Sequence, residues 1–248
     1  MRTTLEKKLS RFNSTRAIGM ALLVTLSASA FAVDTAPHSA SKTVLVLGDS
    51  LSAEYGLQRG QGWVALLEKK LSNDHINAQL VNASVSGETT IGGKSRLAAL
   101  LQKNHPQVVV VELGANDGLR GLPIAETGKN LREIIAAAKK IDARVLVIGM
   151  QLPPNYGTDY TKRFAALFPT VAKETHSSLV PFMLDGVVMQ PQLFQADRLH
   201  PTAAAQPIIL NTIWPQLQPL IGSMNSTSST NSANSTISKS NAIGKNSK

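Results

Sequence analysis

The 248-residue chain contains no cysteine, and only 4% of it is aromatic. Without thiols there is no disulfide framework, no thiolate metal site, no cysteine nucleophile and no attachment point for a lipoprotein anchor. Long apolar runs are also scarce. The run Ala17–Leu26 falls short of the roughly 20 residues that a membrane span needs, and nothing after it is long and apolar enough to cross a bilayer. Acidic residues are outnumbered, giving a formal charge of +9. The surplus is concentrated at the two ends, however. Arg2, Lys7, Lys8, Arg11 and Arg16 face only Glu6 near the N-terminus, and Lys239, Lys245 and Lys248 face no acid near the C-terminus. The middle of the chain is close to neutral, so no nucleic-acid footprint is expected there.

The N-terminus reads as a secretory signal. Basic residues up to Arg16 precede the apolar run, small residues follow, and Ala30-Phe31-Ala32 fits the rule for cleavage after Ala32. The expected organisation is a signal peptide over 1–32, an exposed leader over 33–42, a catalytic-sized domain over 43–221 and a Ser/Asn/Thr-rich disordered tail over 222–248. The Asn-Ser-Thr triplets of the tail follow from its composition and carry no glycosylation argument. No internal repeat is visible. The mature protein is expected in the periplasm or outside the cell, as a monomer with no stable membrane insertion.

From residue 43 onward, short β-branched runs alternate with longer amphipathic stretches. Strands are predicted at 43–47, 78–82, 108–113, 144–149 and 178–182. Several are nearly continuous in Val, Leu and Ile, as strands covered on both faces are. Helices are predicted near 61–72, 89–103, 124–140, 158–175 and 202–217. The third places Leu131, Ile134, Ile135 and Ala138 on one face and ends in Lys139 and Lys140. This alternation predicts a three-layer α/β domain with a mainly parallel sheet.

Four places could carry chemistry. The first strand runs into Gly48-Asp49-Ser50-Leu51, which puts a serine at a strand's carboxyl end, where open α/β sheets bind ligands. Asp49 and Ser50 could equally cap a helix. Asp197-Arg198-Leu199-His200-Pro201 precedes the last helix. One-turn spacing lets the Asp carboxylate hold the His Nδ1 proton, leaving Nε2 as a base. That segment could also be a turn with Pro201 opening the helix. A metal reading lacks further ligands at zinc-like spacing. Gly87, after the second strand, could offer a backbone N–H to an oxyanion, and Asn116, after the third, a side-chain amide. As plain turn formers, Ser86-Gly87 and Gly114–Gly118 would need no such role. His38, His75, His105 and His176 read as surface or helix-end residues, Trp63 and Trp214 as core. Ser52, Ser84 and Ser86 have no base placed to activate them.

Taken together, Gly48-Asp49-Ser50-Leu51, Gly87, Gly114-Ala115-Asn116-Asp117 and Asp197–His200 resemble the four blocks of the SGNH (GDSL) hydrolase superfamily. The likeness extends through Val81–Thr89, Glu112–Gly121 and Leu152–Gly157, and covers about residues 43–220. It is similar above all to the bacterial periplasmic thioesterase I, lysophospholipase and arylesterase group. The resemblance implies a flavodoxin-like five-stranded sheet of order 2-1-3-4-5 and no cofactor or metal. It implies Ser50 as nucleophile and oxyanion N–H donor, Gly87 and Asn116 as the other donors, and Asp197 and His200 as the relay. The implied substrates are small acyl esters or thioesters with an apolar chain, for which Leu119, Leu122, Pro123 and Ile124 are the expected contacts. Arg198 departs from the pattern by placing a cation between Asp197 and His200. The G-x-S-x-G elbow of α/β-hydrolases is absent around Ser50. A carbohydrate O-acetyl esterase on the same fold is the alternative, disfavoured by the apolar segment after Asn116. A non-catalytic exported binding module would have been favoured by the loss of any of Ser50, Asn116, Asp197 or His200.

Overall fold

The valine-rich segment Val108–Glu112 (β3) sits at the centre of the sheet, buried at every position. Such a run makes sense only where helices cover both faces of the strand. In the computed structural model, which describes residues 41–222, β3 lies between β1 (Lys42–Gly48) and β4 (Arg144–Ile148). The edges are β2 (Ala78–Asn82) and β5 (Ser178–Val180), so all five strands run parallel in the order β2-β1-β3-β4-β5. This is the implied topology. The expected signal segment, most of the leader and all of the tail except Gly222, which ends a helix, lie outside the described residues.

Two helical layers enclose the sheet. Helix α1 (Trp63–Asn73) packs against α6 (Gln206–Gly222) on one face. On the other, α4 (Ile124–Lys139) lies between α2 (Thr90–Asn104) and α5 (Thr158–Glu174). The apolar stripe predicted on α4 is buried as expected through Leu131, Ile134, Ile135 and Ala138. Helix α2 begins under the Thr89 side chain, which accepts from the Gly92 N–H. Each of His75, His105 and His176 adopts a left-handed backbone just past a helix, a stop more often made by Gly or Asn. The helix-end reading of those three histidines holds.

Several details differ from the sequence reading. Gly114–Gly118 forms no simple turn: Ala115–Leu119 closes into a short helix, α3. Strand β5 stops at Val180, where Pro181 cannot donate to a ladder. Helix α6 starts after a short 3₁₀ turn and continues through Pro215 and Pro219 to Gly222, five residues past its expected end. Each interior proline removes a helical hydrogen bond, yet Leu217 and Ile221 lie in the core and hold the last turns down. Trp63 is fully buried, whereas Trp214 is only half-buried, with the Lys70 ammonium 4.8 Å from its ring centroid. Among the described residues no helix is long and apolar enough to cross a membrane.

Candidate active site

A parallel sheet brings all its strand carboxyl ends to one rim, and the segments that leave β1, β2 and β3 carry Ser50, Gly87 and Asn116. The fourth segment reaches the same place from β5. A bridge between Phe194 and Pro201 pinches off Gln195–His200, and the Gln195 N–H donates to the His200 carbonyl at 2.8 Å. Within that loop the Asp197 carboxylate accepts from the peptide N–H groups of Leu199 and His200 at 2.9 and 3.0 Å. Arg198 takes a left-handed backbone (φ 57°) and is exposed.

Side chains 150 residues apart in sequence then meet. His200 Nδ1 lies 2.7 Å from Asp197 Oδ2, and His200 Nε2 lies 2.9 Å from Ser50 Oγ. Partial burial opposes charge on Asp197, but the two peptide N–H groups and the His200 ring outweigh it and bring the carboxyl down to about 2. A carboxylate held ionised in this way can fix one ring tautomer and leave the other nitrogen free to take a proton.

Asn116, in the first turn of α3, donates from its amide to Asp49 Oδ2 at 3.0 Å, which ties it to the residue beside Ser50. Gly87 has φ 79°, a conformation glycine adopts without steric cost. Its carbonyl accepts from Arg120 Nη2 at 2.8 Å, and Arg120 ends the helix that carries Asn116. Among the described residues neither the Ser50 nor the Gly87 peptide N–H donates to a protein acceptor. Leu119, Leu122 and Ile124 are half-buried and Pro123 is exposed. Tyr156 and Tyr160 hold this segment by donating to the carbonyls of Leu119 and Leu122 at 3.0 and 2.9 Å.

Sequence reasoning passed over several neighbours. The Tyr55 ring lies 4.3 Å from the His200 ring, tilted by 40°. Gln195 donates to the carbonyls of Tyr55 and Pro201 at 2.9 and 3.1 Å, joining the loop after Ser50 to the loop that holds His200. Ser52, set aside as a turn residue, is buried and bonded to Glu112 and to the Trp63 indole. Burial raises the Asp49 carboxyl to about 6, against hydrogen bonds from the Leu51 N–H and Asn116. Glu112 is pushed well above the usual carboxylate range by burial and then by the Asp49 charge. A periodicity argument shows that these positions are inside, but not which polar atoms face one another.

Among the described residues no cluster of three His, Asp or Glu side chains could hold a metal. A cavity of about 370 Å³ lined by Lys139, Asp142, Arg144 and His176 opens at the strands' amino ends, away from Ser50.

An α/β domain of this topology, with Ser, His and Asp in hydrogen-bonded line at the strand ends, has the layout of a serine hydrolase. Residues 46–207 match the GDSL-like Lipase/Acylhydrolase family, and the chain belongs to it. The chain is similar to Esterase TesA of Pseudomonas aeruginosa, 47% identical over 74% of this chain and 92% of that protein. It is also similar to Thioesterase 1/protease 1/lysophospholipase L1 of Escherichia coli, 43% identical over 74% of this chain and 86% of the relative. A crystal structure of TesA superimposes with a TM-score of 0.71 at 48% identity, covering 72% of this chain and 99% of that one. The protein is a hydrolase of ester bonds, of the esterase and thioesterase kind.

Proposed function

We propose that Ser50, His200 and Asp197 form the catalytic triad and that the substrates are small esters or thioesters with an apolar acyl chain. The observation that carries the proposal is the unbroken line from Asp197 Oδ2 through the His200 ring to Ser50 Oγ. Ser50 Oγ attacks the acyl carbonyl while His200 Nε2 takes its proton. The carbonyl oxygen becomes an oxyanion held by the N–H groups of Ser50 and Gly87 and by the Asn116 amide. The intermediate collapses by breaking the bond to the alcohol or thiol, which leaves with the proton from His200. A water, deprotonated by His200, then attacks the acyl-enzyme and releases the acid and Ser50.

An apolar acyl chain is favoured because Leu119, Leu122, Pro123 and Ile124 follow directly on Asn116. No observation favours a sugar O-acetyl substrate over it. The N-terminal pattern ending at Ala32 supports export to the periplasm or beyond, and the protein is expected to act as a monomer without a cofactor.

Labelling with a fluorophosphonate tests the assignment. Ser50 should be the modified residue, and Ser50→Ala should abolish labelling and turnover while keeping the fold. Modification of a different serine would sink the proposal. A panel of nitrophenyl esters and acyl-CoAs of graded length tests the substrate class, with acetyl substrates expected to be the poorer ones.

A further inference from the structure

Beneath the turn that holds Ser50 lies a carboxyl that the triad does not use. Glu112, the last residue of β3, is wholly buried, and among the described residues no cation pairs with it. Its Oε2 accepts the Asp49 peptide N–H at 3.2 Å and the Ser52 hydroxyl at 2.7 Å, while Oε1 is buried without a hydrogen-bond partner. Gly48 makes room for it: a Cβ there would stand 2.7 Å from Glu112 Oε2 and 2.9 Å from Ser52 Cβ. Burying a carboxyl with one oxygen unpartnered carries a desolvation cost, so the role of Glu112 lies in the hydrogen bonds that its other oxygen makes.

Those bonds reach both halves of the triad. The hydroxyl of Ser52, oriented by Glu112, accepts the Trp63 indole N–H at 3.1 Å. The Trp63 peptide N–H donates to Gln206 Oε1 at 3.0 Å, and Gln206 Nε2 donates to the Thr202 carbonyl at 3.3 Å. The chain of contacts starts one residue before Ser50 and ends two residues after His200.

We propose that Glu112 is a positioning residue for ester hydrolysis: it grips the peptide N–H on one side of Ser50 and the hydroxyl of Ser52 on the other. Ser50 must present its Oγ to His200 and its N–H to the oxyanion at once, so a small tilt of the turn spoils both. The requirement is an acceptor at the Oε2 position. A glutamine carboxamide can take the same two hydrogen bonds there, whereas leucine leaves the Asp49 N–H and the Ser52 hydroxyl without their partner.

The inference rests on Ser50 being the nucleophile. The experiment measures kcat, KM, melting temperature and the rate of fluorophosphonate labelling for the full chain and for Glu112→Leu and Glu112→Gln. Glu112→Leu should lower kcat and slow labelling at Ser50 by about 30–100-fold, the scale of an ångström's misplacement, with KM within about threefold. Glu112→Gln should restore kcat to within about fivefold of the native value on the same grounds, even if its melting temperature falls. If Glu112→Leu does not fold, Ser52→Ala removes the hydroxyl at the centre of the chain and should lower kcat about tenfold. A Glu112→Leu protein with undiminished kcat and labelling confined to Ser50 overturns this proposal and leaves the triad standing. Equal losses in the Leu and Gln variants overturn it as well. Labelling of another serine in the native protein overturns both readings.

Discussion

Asn116 is bonded to a carboxylate rather than left free for a substrate, and that contact separates two roles for it. One amide hydrogen goes to Asp49, and a planar amide held in this way can turn the other toward a developing oxyanion. Asn116→Ala should therefore reduce kcat by about 10²–10³-fold with little change in KM. If Asn116 only supports the first turn of α3, the melting temperature should fall instead while kcat stays within about threefold, a difference under roughly 1 kcal/mol. Asp49 itself makes a pH prediction. Burial raises its carboxyl from 3.8 to about 6, so between those values the folded chain holds more protons on it than the unfolded one. Its contribution to stability therefore falls as pH rises from about 4 through about 6, and Glu112 acts in the same direction. Asp197, held at about 2, works the opposite way, and its stabilisation is lost as pH drops from about 4 toward 2. Melting curves across pH 4–7 should show a smaller decline for Asp49→Asn than for the native protein. Parallel curves would mean that Asp49 titrates normally.

The elements that carry the site differ in how firmly the core holds them. Strands β1 and β3 end in the buried centre of the sheet, so Ser50 and Asn116 leave from fixed points. The His200 loop leaves from short β5 and depends on the Phe194–Pro201 bridge and on Gln195 for its shape. Helix α6 anchors the far side of that loop and is itself held by its last turns. Leu217→Ala should destabilise the fold by about 2–5 kcal/mol, the range for a leucine truncated in a core. Turnover well below the new melting temperature should stay near native, because Leu217 lies near the C-terminal end of α6, whereas the His200 loop precedes its N-terminal end. Unchanged stability would mean that the helix is secured before Pro215 and that its final turns are dispensable.

At the scale of the whole molecule, the surplus positive charge and the polar tail fall, in sequence, before residue 33 and after residue 221. Residues 223–248 have no apolar periodicity in their sequence. Their deletion should leave the melting temperature and the hydrolysis of soluble esters unchanged; a drop of several degrees would mean that they dock on the domain. Full activity in excess chelator is likewise expected, since the proposed chemistry runs entirely on side chains and peptide groups. Loss of activity there would revive a metal ligand role for Asp197 and His200.

Much of this was legible in the chain alone, for physical reasons. Apolar runs rich in Val and Leu at Thr43–Leu47 and Val108–Val111 read as strands covered on both faces, and strand–helix alternation set the layered class. The short spacing of Asp197 and His200 allowed their contact before any tertiary fold was known, because such a contact is local. Ser50, 150 residues away, could be joined to them only through a likeness to other proteins, since no local rule spans that distance. What tertiary structure alone decided is which buried polar atoms meet. The strand predicted over 108–113 reads as one apolar run with a single acid, Glu112, near its end. Only the register of β3 against β1, which sets Glu112 beside Gly48, turns that acid into the support beneath Ser50. The same holds for α6, expected to end near residue 217 but carried on to Gly222 with Leu217 and Ile221 buried in the core. Local sequence fixes periodicity and cap chemistry, whereas partners distant in the chain are chosen by how the layers pack.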